Sequence, residues 1–379
     1  MAQIASPPTN TLSIWIFCRV IDNFGDAGVA CRLANVLQAA DCSVRLFIDD
    51  LPTLAALQPQ LNLDADEQHL DGVQISRWSE SLTLADTSPA PDCIIEMFAC
   101  ELPTEVRKII QKNNSLWLNW EYLTAEDWAE ELHLMPSPQA DGTQKYFYFM
   151  GFGEKSGGLL RETHLPMNAN LSGSLKTLRL FAFGYAAPLW ADWLHCWERL
   201  DKPLTLTLAG GQVVHSLQHT GLLPHDALNL PDETWHTGSV ELRRAPFVAQ
   251  SAFDELLQRA DVLMVRGEDS FVRAQYAAKP FFWHIYPQAE QAHVVKLHAF
   301  WERVYPYFPP ALMAAHRALS DELNGVHTLS DTQRLRYWQD VLCELPAWTQ
   351  AMQAWREHLF RQPAAQTKLI SLIREKRLK

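Results

Sequence analysis

Glycine is sparse in this chain, at 16 of 379 residues, and nowhere forms G-x-G-x-x-G. The nicotinamide-dinucleotide fingerprint is therefore missing, which argues against a dehydrogenase. Basic charge is also short: 32 Lys plus Arg stand against 44 Asp plus Glu, a net charge of −12. That is the wrong sign for a protein that holds nucleic acid phosphates over a broad surface, so no nucleic acid partner is expected. The seven cysteines are odd in number and include no C-x-x-C pair, and no histidine stands at zinc spacing from them. They read as reduced, mostly buried thiols. The longest mostly apolar stretch, Leu180 to Ala191, is broken by Gly184 and Pro188. It falls short of the ~20 residues that span a bilayer, so no membrane association is expected. Met1 to Thr11 has no basic cluster followed by an apolar run, so the expected location is the cytoplasm.

What is present is a globular composition, 47% apolar and 11% aromatic. The length suits two domains of roughly 150 to 200 residues. Leu12 to Cys18 reads as a strand, followed by a polar Asp and Gly loop and a helix from Gly28 to Ala39. Strands at Ser43 to Ile48, Asp92 to Met97 and Ser115 to Trp120 follow, with a helix at Thr104 to Lys112. The polar, aperiodic stretch Glu162 to Lys176 reads as a linker. Beyond it the alternation restarts with strands at Leu178 to Phe183, Leu204 to Ala209, Val262 to Val265 and Pro280 to Ile285. Helices are expected at Leu189 to Arg199, Phe253 to Arg259 and Phe271 to Ala278, and a helical tail at Trp338 to Lys379 breaks at Pro363. Such alternation predicts an α/β protein with parallel, doubly wound sheets.

Two loops carry chemistry. Asp22-Asn23-Phe24-Gly25-Asp26-Ala27-Gly28 follows the first strand, where doubly wound sheets place ligands. Asp22 and Asp26 put two carboxylates a few residues apart, able to hold a cation and accept a proton. An Asx-turn at Asp22 and a helix cap at Asp26 would use the same residues. The second loop, Arg266-Gly267-Glu268-Asp269-Ser270, joins a strand end to a helix start. Helix N-terminal amides, an Arg and a Ser hydroxyl are the parts that hold a diphosphate. A helix capped by Asp269 or Ser270 is the alternative. Phe247, Gln250 and Phe253 offer stacking plus an amide edge for a nucleobase, or simply core packing.

Other motifs carry less. Asp64-Ala65-Asp66 is a D-x-D string in a polar stretch and reads as a loop, not a metal site. His215 and His219 lack the Glu of H-E-x-x-H, and the Gly-rich Gly151 to Gly158 fits no phosphate-loop pattern. Trp190, Trp193 and Trp197 share one helix face and read as packing, and the basic end Arg374 to Lys379 reads as a solvated helix end.

At both loops the sequence resembles the EarP family, the protein-arginine rhamnosyltransferases that modify elongation factor P. The matching segments are Ile16 to Leu37, Leu118 to Trp128, Leu134 to Gln139, Lys145 to Glu162 and Val265 to Gln288. The motif departs from the family pattern at Ala27 and Cys31, changes that affect packing and remove no catalytic group. The resemblance implies a GT-B glycosyltransferase, two Rossmann-like domains facing a central cleft. The expected division is 1–165, completed by a C-terminal helix near 355–379, and 172–350. The implied reaction is inverting and metal-independent, moving rhamnose from dTDP-β-L-rhamnose, a co-substrate rather than a cofactor, to an arginine of elongation factor P.

Carried over by motif, Asp26 is the general base, Asp22 the second acidic residue of its loop and Glu268 a third. Arg266, Asp269 and Ser270 take the diphosphate, and Phe247, Gln250 and Phe253 the thymine. Tyr185 and Tyr286 add donor-pocket aromatics, with Phe181 and Phe183 lining the same region. Donor and acceptor residues come from different halves, so closure of the domains is expected, in a protein that acts as a monomer. The rival readings are a GT-B transferase with another nucleotide sugar or acceptor, and a non-catalytic nucleotide-sugar-binding protein. A mere binder would have no need for the three acidic residues together.

Overall fold

The computed structural model describes residues 11–21, 24–84, 90–163 and 177–377. The chain divides into two compact units, Met1–Thr163 with Gln362–Lys379, and His164–Arg361. The return to the first unit thus falls after Arg361 rather than near residue 355. Most of the linker expected at Glu162 to Lys176 lies outside the described residues, as does Asp22.

The first unit begins β1 (Ser13–Cys18), α1 (Phe24–Gln38), β2 (Ser43–Ile48), α2 (Leu51–Leu57), β3 (Glu67–Leu70) and β4 (Val73–Arg77). It continues β5 (Cys93–Met97), α3 (Thr104–Asn113), β6 (Leu116–Glu121), α4 (Asp127–Leu132), β7 (Pro136–Pro138) and β8 (Gln144–Phe149). The sheet order is β3-β4-β2-β1-β5-β6-β8-β7, parallel throughout its interior, with antiparallel strands at the two edges. Burial on both faces explains why β1 and β5 are continuous apolar runs. The chain's last helix, Ala365–Arg377, docks here: Tyr148 donates its hydroxyl to the carbonyls of Gly157 and Ala365, each at 3.1 Å.

The second unit opens with β9 (Leu178–Ala182), α5 (Leu189–Glu198), β10 (Leu204–Leu208), α6 (Gln212–His219), β11 (Thr234–Thr237), β12 (Val240–Arg244) and α7 (Phe253–Gln258). Then come β13 (Val262–Arg266), α8 (Asp269–Tyr276), β14 (Phe281–His284), α9 (Ala292–Val304), α10 (Pro310–Leu323), α11 (Asp331–Cys343) and α12 (Leu345–Arg361), which leaves the docked last helix as α13. Its sheet runs β11-β12-β10-β9-β13-β14, with β11 antiparallel. Trp190, Trp193 and Trp197 are fully buried, as their helical spacing predicts, and Trp193 and Trp197 meet Trp338 edge to face at 5.1 and 5.3 Å.

Three corrections concern hairpins, the antiparallel pair β7–β8 among them. The polar stretch ending at Gly72 leads into the antiparallel pair β3–β4, turned by Asp71 and Gly72, both at positive φ. Asp-Gly is a strong two-residue hairpin signal, so the feature was present in the sequence. The pair β11–β12 turns likewise through Gly238, at φ 53°. Two helices also begin earlier than their apolar periodicity indicates, α1 at Phe24 rather than Gly28 and α8 at Asp269 rather than Phe271.

None of the seven cysteines forms a disulfide, and six of them are buried. Among the described residues no helix is long and apolar enough to cross a membrane.

Candidate active site

In each sheet the strand order reverses direction at one point, between β1 and β5 and between β9 and β13. Crevices at the carboxyl ends of strands bind ligands at such points. Among the described residues, Asp26 lies there in the first unit and Arg266, Glu268, Asp269 and Ser270 in the second.

In the first unit Asp26 sits in the first turn of α1, not at its cap. Its side chain is buried at 2% exposure. The Ile21 backbone N–H donates to its Oδ2 at 2.9 Å, closing the loop, and the Tyr122 hydroxyl donates to its Oδ1 at 3.3 Å. A carboxylate in the first turn is also favoured by the helix dipole. The Cys18 thiol nearby is pushed well up, first by burial and next by the charge of Asp26. Tyr122 follows β6 and stacks on Phe98, which follows β5, with ring centroids 4.1 Å apart. Phe98 and Ala99 both hold positive φ, and the Ala99 N–H donates to Asn119 Oδ1 at 2.9 Å. For non-glycine residues that backbone costs of order 1 to 3 kcal/mol each, so the neighbouring bonds must hold the shelf under Tyr122 in place. Sequence reasoning missed Tyr122 and Phe98; Tyr122 falls inside a matching segment but in no recognised motif.

In the second unit the Arg266–Ser270 loop leaves β13 with Gly267 at φ 63°, and α8 starts immediately, with Glu268 as its N-cap. The cap is therefore neither Asp269 nor Ser270. The Arg266 guanidinium lies 4.4 Å from the Phe183 ring centroid and 4.9 Å from that of Tyr185. Such cation–π contacts hold its fork in a fixed direction. Tyr185 meets Tyr286 edge to face at 5.4 Å, and the Tyr185 N–H donates to His284 Nδ1 at 3.2 Å. His284 is pushed down to about 3, first by burial and then by Arg266, so it is neutral and can accept this bond. Lys296, also missed in the sequence, pairs with Glu268 at 3.4 Å.

Ser270 donates its hydroxyl to the Arg266 carbonyl, tightening the turn. Gln250 is buried and donates from Nε2 to Asp269 Oδ2 at 3.2 Å, so one edge of its amide faces α8. Arg273 binds Asp254 and ties α7 to α8. Phe253 packs edge-on against Phe181 and Phe183 at 6.1 and 6.0 Å. Phe181 lies beneath it at 1% exposure, whereas Phe247 and Tyr286 are exposed, at 61% and 58%. Aromatic faces, a guanidinium fork and helix-start amides are thus assembled on one edge of one sheet, an arrangement suited to a planar base joined to phosphates.

The motifs set aside stay apart. Asp64 and Asp66 are exposed in the turn before β3, and His215 and His219 stand exposed on α6. Among the described residues no cluster of three or more His, Cys, Asp or Glu could hold a metal ion.

Two doubly wound sheets carrying these groups are the fold of solved transferases of the GT-B architecture. The MurG of Acinetobacter baumannii superposes with a TM-score of 0.53 at 12% identity, over 96% of this chain and 99% of that one. A solved structure described as the structural basis for EarP-mediated arginine glycosylation of translation elongation factor EF-P gives a TM-score of 0.62 at 24% identity, over 96% and 99% of the two chains. The chain belongs to the EarP family, described as Elongation-Factor P (EF-P) rhamnosyltransferase, whose profile matches residues 14–374. A protein-arginine rhamnosyltransferase of Neisseria meningitidis serogroup B is 48% identical over 370 residues, 95% of this chain and 96% of that one.

Proposed function

We propose that this protein transfers L-rhamnose from dTDP-β-L-rhamnose to an arginine side chain of translation elongation factor P, with inversion at the anomeric carbon and without a metal or other cofactor. The observation that carries the reading is the buried, doubly hydrogen-bonded Asp26 at the carboxyl end of β1, in a chain similar along nearly its whole length to protein-arginine rhamnosyltransferases.

Arginine keeps its proton at neutral pH, with a pKa above ~12, so a nucleophilic nitrogen has to be made during the reaction. Asp26 accepts a guanidinium proton as that nitrogen attacks the anomeric carbon. Asp22, outside the described residues, holds the guanidinium from the same loop. The bond from carbon to the diphosphate oxygen breaks and dTDP leaves, so attack from the opposite face turns a β-linked donor into an α-linked product.

On the second unit Arg266 and the amides at the start of α8 stabilise the leaving diphosphate, with Asp269 and Ser270 shaping that turn. Phe247, Gln250 and Phe253 receive the thymine, Tyr185 and Tyr286 wall the sugar, and Phe181 supports Phe253 from below. Glu268, held by Lys296, is the third acidic group at the reacting end. The protein is expected to act in the cytoplasm as a monomer.

The test is the intact mass of elongation factor P after incubation with this protein and dTDP-β-L-rhamnose, beside a no-donor control. A gain of one deoxyhexose, mapped to an arginine, is expected. No gain, with dTDP still bound in calorimetry, would move the search to another acceptor.

A further inference from the structure

Away from the Arg266–Ser270 loop, the sheet of the second unit carries a basin of about 540 Å³ between β12 and α7. That volume is typical of small-molecule sites. Its floor follows from register: Arg179 lies opposite Thr205, and Phe181 opposite Thr207, with Thr207 in turn opposite Arg243. Because side chains alternate between sheet faces, Arg179, Phe181, Thr205, Thr207, Glu241 and Arg243 share one face. β12 and β9 are two strand spacings apart, so Arg243 and Arg179 rise from opposite sides of a floor about 10 Å wide. Arg244 and, from the end of α7, Arg259 complete the lining, with Asp232 at its rim and Glu241 beside Arg243 on the floor.

Four guanidiniums around one cavity are out of proportion in a chain with a net charge of −12. They are not consumed by their partners. Arg259 reaches Glu255 only at 3.9 Å with both side chains at least 70% exposed, a pairing worth little in water. Arg179 is held by buried Asp261, and Arg243 by Glu241 at 3.0 Å, contacts that orient each fork while leaving it about half exposed. Arg244 donates from one terminal nitrogen to the carbonyls of Leu208 and Gly210, and among the described residues it pairs with no carboxylate. Burial pushes its guanidinium pKa down. Of the residues assigned to the donor, only Phe181 borders the basin; neither the Arg266–Ser270 loop nor the two tyrosines line it.

We propose that this basin is a second ligand site, which takes a small phosphate-bearing anion on Arg179, Arg243, Arg244 and Arg259. The Thr207 hydroxyl donates to a phosphate oxygen, and the apolar wall of Phe181, Leu256 and Pro246 accommodates an organic group attached to the phosphate. Bidentate guanidinium contacts give such a site its selectivity for phosphate over chloride.

The experiment titrates the full chain with sodium pyrophosphate, and separately with ADP, by calorimetry at 0.15 M salt. Three proteins are compared: the unaltered chain, Arg243→Ala with Arg259→Ala, and Arg266→Ala. The double variant removes exposed side chains, and an unshifted melting temperature serves as its folding control. The expected result is saturable pyrophosphate binding that weakens about tenfold or more in the double variant and stays within about twofold in Arg266→Ala. ADP binding more tightly than pyrophosphate identifies a nucleotide ligand; equal affinity identifies an inorganic phosphate. Binding lost in Arg266→Ala but kept in the double variant assigns the anion to the donor residues and overturns the proposal. Absence of saturable binding in the unaltered chain overturns it as well.

Discussion

The Tyr122 hydroxyl donates to Asp26 Oδ1 at 3.3 Å across 96 positions of sequence, from a ring stacked on Phe98. With the Ile21 N–H on the other oxygen, Asp26 is held from two sides. Tyr122→Phe should lower kcat for arginine transfer by roughly tenfold while leaving the KM for the nucleotide sugar unchanged, because it frees the carboxylate to rotate without touching the second unit. Steady-state kinetics with both substrates varied would show this, and a rise in donor KM at constant kcat would contradict it.

Asp26→Asn keeps the shape of the side chain and removes its capacity to take a proton. Transfer should fall by roughly 100-fold or more while dTDP binding in calorimetry stays nearly intact. Rhamnosylation at the unaltered rate would remove Asp26 from the mechanism.

Phe253 touches both Phe181 and Phe183. Phe253→Ala should weaken dTDP binding by about 1 to 3 kcal/mol through lost stacking and burial. An unchanged titration would place the base elsewhere.

Glu322 and Arg334 form a buried ion pair at 2.8 Å, and Glu322 also accepts from Trp193 Nε1 at 2.8 Å and from the Leu329 N–H at 2.9 Å. Arg334→Met leaves that carboxylate buried without its cation. A loss of about 3 to 5 kcal/mol is expected in urea unfolding followed by tryptophan fluorescence.

His316 is fully buried, stacked on Phe282 at 4.7 Å, and pushed down to about 3, chiefly by burial. Its folded pKa lies below the unfolded value of about 6.5, so the unfolded chain binds the extra proton between those limits. The stabilisation from keeping it neutral is complete above about pH 6.5 and is lost as pH falls towards 3. Between pH 7 and pH 5 the unaltered chain should lose about 2 kcal/mol that His316→Gln does not. Parallel pH slopes for the two proteins in urea unfolding would disprove this.

Much of this arrangement was legible in the amino-acid order. Strands β1, β5, β13 and β14 are near-continuous apolar runs because both sheet faces are covered, while β2, β6, β9 and β10 are mostly apolar, and these runs identified all eight. The loops at Asp26 and Arg266 were found because polar residues with glycine directly after such strands mark the ligand-facing edge. The hairpins β3–β4, β7–β8 and β11–β12, each pairing an edge strand with its neighbour, were missed because these short, partly polar strands lack that continuity, although Asp71-Gly72 signalled one of them. Helices α9 and α10, which wall the second unit, were missed as well.

The sequence by itself determined the α/β class, the positions of the two polar loops and the family. Each of these depends on local patterning or on motifs read in order. Only the tertiary structure decided that Tyr122 rather than another hydroxyl reaches Asp26, that Lys296 meets Glu268, and that Arg179, Arg243, Arg244 and Arg259 converge. Those contacts join residues far apart in the chain through strand register and the hand of the crossovers, which the packing of each whole sheet fixes and no short stretch of sequence encodes.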